Sequence, residues 1–140
     1  MAPTSPLRPS LATPSSPHAH GSGGVGSVMG AVVIGLAPVT LFSVYLFGWP
    51  ALFLLVVTLA AGLATEAVLL RLMGRPVRAH LLDGSAVVTC LLLALSLPAS
   101  TPWWIAALGA VFGIGVGKQL YGGLGANPFN PAMIARVMLL

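Results

Sequence analysis

The sequence is poor in charged residues, and this scarcity excludes an ordinary water-soluble domain. Only 6% of its residues are charged, six Lys and Arg with two Asp and Glu, and 57% are hydrophobic. Soluble domains carry roughly 25% charged residues. No Asp, Glu, Lys, Arg or His occurs from Gly21 to Thr65, which leaves room for two bilayer crossings at about 20 residues each. The composition therefore predicts an all-α integral membrane protein.

Cysteine is almost absent, and the few basic residues are dispersed. Cys90 stands alone in an apolar run, which excludes a disulfide or a multi-cysteine metal site within this chain. A small membrane-buried side chain is favoured over a reactive thiol, and no metal site is predicted. The net charge of +4 comes from basic residues that follow apolar segments instead of forming one patch. This placement is typical of topology signals and not of nucleic-acid binding.

The order of apolar and polar segments predicts a polytopic helix bundle. Residues 1–27, rich in Pro, Ser and Gly, are predicted to form a disordered cytoplasmic tail, and residues 28–140 a transmembrane domain. Helices are predicted at about 28–47 with an interruption at Pro38, at 51–72, 85–97 and 103–120, with a truncated fifth from 131. Gly48-Trp49-Pro50 is predicted to be a tight turn. The basic cluster from Arg71 to His80 places its own loop and the N-terminus in the cytoplasm.

The third and fourth predicted helices have unusual features. The third reaches only about 20 Å at 1.5 Å per residue, less than a hydrocarbon core of about 30 Å, and is predicted to be a short broken helix. The fourth carries Gly109, Gly113 and Gly117 on one face, which predicts close packing against a neighbouring helix. It is expected to end with Lys118 and Tyr121 at the cytoplasmic interface.

Two polar side chains, Asp83 and Thr89, are candidates for an ion pathway, whereas this role is not favoured for Glu66. An acid at membrane depth is by default a functional hypothesis, and Asp83 is one of only two acids. It could equally be the N-cap of the third helix, so both interpretations stay open. Thr89 could line a path, although a hydrogen bond within its own helix is favoured. Glu66 is expected to reach the interface and the adjoining arginines.

The densest polar segment runs from Lys118 to Ala132. Asn127 and Asn130 each precede a proline, which suits a turn feeding the next helix. Asn130 is predicted to cap that helix, with Pro131 at its first position. Together with Gly123 and Gly125, the two amides also make a plausible ligand-contacting loop, because glycines let a planar ligand approach backbone N–H groups.

Several of these segments resemble RnfD, the D subunit of the Rnf electron-transport complexes, and, more distantly, the B subunit of the sodium-pumping NADH:quinone oxidoreductase. The resemblance covers the chain from about Ser16 to its end. It rests on Asp83-Gly84-Ser85 with Val88-Thr89, on Pro102-Trp103-Trp104, on the run from Gly117 to Gly125, and on Asn127 to Met133. The last two segments together are long enough to be specific.

The resemblance implies a ten-helix flavoprotein of two inverted repeats, of which this chain holds most of the first. In the family that the chain resembles, FMN is attached covalently to the threonine of a Ser-Gly-Ala-Thr motif. This sequence lacks that motif. The covalent FMN is therefore expected in the C-terminal half of the full-length protein. A second, non-covalent flavin, for which riboflavin is a candidate, is implied near Asn127, Asn130, Gly123 and Gly125. Asp83 and Thr89 match a region associated with ion passage.

The leading functional hypothesis is a membrane subunit of an ion-translocating ferredoxin:NAD oxidoreductase in the bacterial inner membrane. Its implied partners are the other Rnf subunits, A, B, C, E and G, and membrane lipid; no nucleic acid is expected. The chain alone is not expected to be catalytic. A passive channel is an alternative, because Asn130-Pro131-Ala132 is the aquaporin tripeptide, but only one copy occurs. A structural anchor for partner subunits is the third hypothesis.

Overall fold

The computed structural model of the protein describes residues 24–120 and 130–140, in which all regular structure is helical. The α-helices are α1 (Val25–Phe47), α2 (Trp49–Leu72), α3 (Val77–Leu82), α4 (Ser85–Ser96), α5 (Trp103–Ile114) and α6 (Pro131–Met138), and a π-helical segment, Gly115–Gln119, continues α5. No β-strand occurs in the two described ranges. The all-helical class predicted from the composition is confirmed.

Two of the described helices, α1 and α2, are long and apolar enough to cross a membrane. They have 23 and 24 residues, or about 35 Å each at 1.5 Å per residue, against a hydrocarbon core of about 30 Å. Gly48 joins them with φ 67°, a conformation that favours glycine. Trp49 and Pro50 already belong to α2, where proline suits the first turn. The helix α1 continues through Pro38, so the predicted interruption is wrong.

A short helix that the sequence did not predict, α3, follows α2. Its six residues include the basic side chains Arg78 and His80, and none of them is buried. Gly74, with φ 66°, and Pro76, the N-cap, separate it from α2. A helix of fewer than two turns shows no hydrophobic period in sequence, so the residue pattern of this segment indicates only a loop.

The third predicted segment is indeed short. Helix α4 has 12 residues, about 18 Å of helix, which is less than a bilayer crossing. Gly84 precedes it with φ 70°, and a Cβ at Gly84 would lie 3.4 Å from Met29 Cβ on α1. The N-terminus of α4 therefore passes directly against α1.

The fourth predicted helix changes its hydrogen-bond pattern before it ends. The α-helical part, α5, stops at Ile114, and Leu120 N donates to Gly115 O at 3.1 Å, across five residues. Glycine lowers helix propensity, and the segment is rich in it. The wide π-helical turn leaves Gly117, Lys118 and Gln119 all buried.

The predicted packing role of the α5 glycines is confirmed by their contacts with α6. Glycine at these positions lets the two helices approach closely, since any side chain would meet α6 at once. A Cβ at Gly109 would lie 2.5 Å from Leu139 Cδ1, one at Gly113 2.9 Å from Ala135 Cβ, and one at Gly117 3.0 Å from Pro131 Cα. Each step of four residues along α5 matches a step of four back along α6, so the two helices run antiparallel.

Helix α2 is central to the described bundle and contacts both α4 and α5. Its interior face recurs every four residues, with Leu54, Thr58, Gly62, Glu66 and Leu70 all buried. Gly62 allows α4 to come close, because a Cβ there would collide with Sγ of Cys90. This face carries Glu66 into the interior.

Candidate functional site

A buried ion pair lies where α2, α4 and the π-helical segment meet. Glu66 is 0% exposed and Lys118 is 4% exposed. The ammonium of Lys118 donates to Oε1 of Glu66, and also to Oγ of Ser85 at 2.5 Å. Each of the three helical elements therefore contributes one polar side chain to the cluster, which we call the Glu66–Lys118–Ser85 cluster.

Helix geometry explains how the cluster forms. Glu66 follows Gly62 by four residues on the face of α2 that packs against α4 and α5. Lys118 follows the fully buried Ile114 by four residues, so it continues the interior face of α5 into the π-helical segment. Ser85 is the first residue of α4, at the close approach to α1.

The energetic balance of this cluster depends on both charges being present. Removing an ion from water is expensive, and attraction between the partners offsets that cost only when they are well hydrogen-bonded. Removing one partner of a buried pair typically costs about 3 to 5 kcal/mol, because the other charge is left uncompensated. Lys118 and Glu66 therefore stabilise the bundle as a unit.

The cluster and Gln119, the residue after Lys118, include buried polar atoms without a described partner. Oε2 of Glu66 and Oε1 of Gln119 are buried and have no hydrogen-bond partner within residues 24–120 and 130–140. Buried polar atoms are normally paired, and a low dielectric makes an unpaired one costly. A carboxylate with one oxygen engaged and the other open is able to accept a proton or coordinate a further cation.

Thr89 and Cys90 lie close to the cluster on α4. The hydroxyl of Thr89 donates to the carbonyl oxygen of Ser85 at 2.9 Å. The favoured prediction of a hydrogen bond within its own helix is confirmed. Cys90 is 0% exposed and packs against Gly62, as predicted for a small buried side chain. Its thiol lies within electrostatic reach of both Glu66 and Lys118.

The structure contradicts one of the two interpretations of Asp83, that it is the N-cap of α4. The N-cap of α4 is Gly84, without a side-chain hydrogen bond, and Asp83 instead ends α3. Its carboxylate lies 3.7 Å from Nδ1 of His80, and both side chains are about 40% exposed. The left-handed turn at Gly84 separates Asp83 from the first turn of α4. Asp83 is thus a partly exposed group two residues before Ser85.

Asn130 caps α6 as predicted, while the rest of its loop is outside the described residues. The side-chain Oδ1 of Asn130 accepts a hydrogen bond from Ala132 N at 2.9 Å, and Pro131 lies in the first turn. The predicted flavin contacts Asn127, Gly123 and Gly125 lie in residues 121–129, as does Tyr121. Their proposed role stays a prediction.

The expected pairing of Glu66 with the arginines that follow it is wrong. Glu66 pairs with Lys118 inside the helix bundle, whereas Arg71, five residues after Glu66, is exposed. The sequence contained a usable signal, because Thr58 and Gly62 precede Glu66 at intervals of four. Small residues at that spacing mark a helix–helix interface. An acid in register with them is expected to point inward.

A comparison with known protein families shows the family to which the chain belongs. A family model described as NQR2, RnfD, RnfE matches residues 12–140. The chain belongs to this family. The matched range includes the positions of Glu66, Lys118 and Ser85 and both described ranges.

Curated members of the NQR2, RnfD, RnfE family match most of this chain and are longer than it. A relative from Stutzerimonas stutzeri is 56% identical over 83% of this chain and 32% of its own length. Relatives from Halorhodospira halophila and Tolumonas auensis are 48% and 45% identical over 89% and 94% of this chain, and over 35% and 38% of their own lengths. All three are named as the D subunit of an ion-translocating oxidoreductase complex. The chain spans about a third of the length of these relatives.

Membership of this family makes the chain a helical membrane protein, in agreement with its two long apolar helices. Glu66 lies six residues before the end of α2, about 9 Å along the helix axis. Glu66 is therefore inside a helix that is long and apolar enough to cross a membrane, and not in a flanking loop. Ionisable residues at such positions are costly and tend to mark ion or substrate pathways.

Proposed function

We propose that the chain is part of the membrane-embedded D subunit of an ion-translocating oxidoreductase complex of the Rnf type, in the bacterial inner membrane. Its family and the printed names of its relatives support this assignment. In the complex, electrons would pass between ferredoxin and NAD through flavins while ions cross the bilayer. The proposed partners are the other Rnf subunits, A, B, C, E and G, and membrane lipid.

The observation that carries an ion-transport role is the position of Glu66. It is fully buried in a helix long enough to cross the membrane, and its Oε2 has no partner in the described part of the chain. Buried carboxylates of this kind bind protons and cations. We assign Glu66 to the pathway as the group that receives the ion.

Asp83 and Thr89 are the other proposed pathway residues. Asp83 is partly exposed at the end of α3, and Ser85, two residues later, contacts Lys118. We propose that the ion passes from Asp83 by way of Ser85 to Glu66. Thr89 extends this path one turn along α4, although its hydroxyl proton already bonds Ser85 O. We place the surface end in the cytoplasm, with the N-terminus on the same side, because of the basic residues around α3.

Only the loop that includes Gly123, Gly125, Asn127 and Asn130 is proposed to bind a flavin in this chain. The Thr89 hydroxyl is committed within α4 and lies in no Ser-Gly-Ala-Thr motif, so it does not fit covalent FMN attachment, which we assign to other parts of the full-length protein. A non-covalent flavin such as riboflavin, which would supply electron transfer, remains proposed at Gly123, Gly125, Asn127 and Asn130. Of these, Asn130 has its Oδ1 engaged by the backbone of α6.

The test uses the complete complex in proteoliposomes. The double variant Glu66→Gln/Lys118→Met removes both charges without leaving one stranded, so the complex should assemble with its flavins. It should then move fewer ions per electron than the wild type. Thr58→Val is the matched control, because Thr58 is buried on the same face of α2 and its hydroxyl donates to Leu54 O within the helix. Ion transport by the double variant equal to that of the control would contradict the assignment.

A further inference from the structure

The hydrogen bonds of Lys118 bear on how an ion would leave Glu66. The ammonium holds Oε1 of Glu66 and Oγ of Ser85, whereas Oε2 of Glu66 has no partner in the two described ranges. One oxygen of the carboxylate is therefore held by a cation that belongs to the protein. The other oxygen is open to a cation that does not.

The charges of the buried pair imply that a bound cation would compete with Lys118 for the carboxylate of Glu66. Glu66 and Lys118 together are neutral, and both are almost completely buried. A monovalent cation bound at Oε2 would place two positive charges around one carboxylate. Away from bulk water such repulsion is screened far less than at the surface. The two cations cannot both hold Glu66 at full strength.

We propose that Lys118 and the transported monovalent cation compete for Glu66, so that the return of the ammonium to the carboxylate expels the ion. The proposal rests on the proposed function, which makes Glu66 the ion-receiving group. While the ion is bound, Ser85 Oγ offers the ammonium a second acceptor already within 2.5 Å. Lys118 is thus the release device of the pathway.

The π-helical segment supplies the freedom that this exchange needs. Its turn is closed by a bond from Leu120 N to Gly115 O, and glycine occurs at positions 115 and 117. Single π-helical turns are frequent at functional sites, and conversion to an α-helical turn would rotate Lys118 relative to α2. Gln119, beside Lys118 in the chain, adds a buried Oε1 without a described partner.

Few other titratable groups of residues 24–120 and 130–140 lie near the pair. On α4, the Cys90 thiol is close enough to interact with both charges. His80 and Asp83 pair with each other at the end of α3, and Arg136 on α6 lies beside Pro98 and Ile105, near the start of α5. The remaining basic side chains of the described elements, Arg71, Arg75 and Arg78, are exposed. Competition at Glu66 is therefore dominated by Lys118.

The experiment measures the cation concentration that gives half-maximal electron transfer by the complete complex in proteoliposomes. One series varies sodium at fixed pH, and a second varies pH at fixed sodium. In Lys118→Met the half-maximal concentration should fall by about tenfold or more in one series, because a buried like charge has been removed. The series in which the half-maximal concentration changes identifies either sodium or the proton as the transported ion. No change in either series would overturn the proposal.

Lys118→Arg keeps the charge and gives a test that does not depend on assembly of the neutral variant. A guanidinium binds both oxygens of a carboxylate, so it should occupy Oε2 and raise the half-maximal concentration. An unchanged value would overturn the proposal. Thr58→Val should match the wild type in both series. If Glu66→Gln/Lys118→Met transports ions normally, the proposed function is contradicted. If that double variant loses ion transport while Lys118→Met and Lys118→Arg keep the wild-type half-maximal concentrations, only the proposed competition is contradicted.

Discussion

Lys118 donates to Glu66 across 52 residues of sequence, and the same ammonium reaches Ser85 across 33. The contact joins α2, α4 and the π-helical segment at a single buried point. Because the partners are so far apart in the chain, the pair forms only after three helices have packed together. It therefore reports on the whole bundle as well as on the proposed ion pathway.

The orientation of the chain can be tested at Arg75, in the basic segment between α2 and α3. Arg75→Cys is introduced with Cys90→Ala, which removes the only other cysteine. The positive-inside rule predicts labelling by an impermeant maleimide from the cytoplasmic side alone. Labelling from the periplasm of intact cells would reverse the topology and the proposed direction of the pathway.

Gly113→Ala should destabilise the contact between α5 and α6. The new Cβ would lie 2.9 Å from Ala135 Cβ and 3.1 Å from the carbonyl oxygen of Pro131. Overpacking of this kind costs about 1 to 3 kcal/mol, so the thermal midpoint in detergent should fall.

Gly35→Ala is the matched control for this substitution. Gly35 lies within α1, and a Cβ built there would meet no described atom within 4 Å apart from its chain neighbours and the nearby backbone of α1. Alanine should stabilise that helix by up to about 1 kcal/mol through its higher helix propensity. Equal losses of stability in Gly35→Ala and Gly113→Ala would mean that α6 does not pack on α5 as described.

Gly62→Ala and Cys90→Ala should compensate each other. A Cβ on Gly62 would collide with Cys90 Sγ, so Gly62→Ala alone should destabilise by about 1 to 3 kcal/mol. Removing the sulfur makes room for the methyl group. Thermal midpoints of the two single variants and the double variant give the coupling between α2 and α4. A double variant less stable than Gly62→Ala would contradict the packing of α4 on α2.

Substitutions at Asn130 and Asn127 distinguish a helix-capping role from a role in flavin binding. Asn130→Ala removes the acceptor of Ala132 N and should cost about 0.5 to 2 kcal/mol, whereas Asn130→Asp should retain the cap. Thermal midpoints of the full-length protein provide this comparison. If the loop also binds a flavin, Asn127→Leu and Asn130→Leu should both release flavin more readily. Unchanged flavin content in both variants would leave Asn130 a cap and remove the loop from the site.

Most of the helices were predictable because each depends on local composition. The bounds of α2 and α4 were predicted to within two residues, and the glycines of α5 and the cap at Asn130 follow from spacing and residue type. The π-helical turn was not predictable, since its glycine-rich sequence still reads as the end of an ordinary helix.

The site could be predicted only in part, because it depends on contacts between distant segments. Asp83 was a candidate because it is an isolated acid, yet it follows α3 and its carboxylate lies near His80, before the turn at Gly84. Glu66 was assigned to the arginines that follow it because they are near in sequence. Its actual partner is on another helix, and only the four-residue spacing from Thr58 and Gly62 indicated that Glu66 points inward.

The central claim is that Glu66 and Lys118 form one buried unit, and a double-mutant cycle tests it most directly. The free energy of unfolding is measured for the purified full-length protein and for Glu66→Gln, Lys118→Met and the double variant. Each single variant strands a buried polar group or charge, and Lys118→Met should cost about 3 to 5 kcal/mol. We predict that the double variant is more stable than Lys118→Met. Losses that simply add in the double variant would contradict the pair.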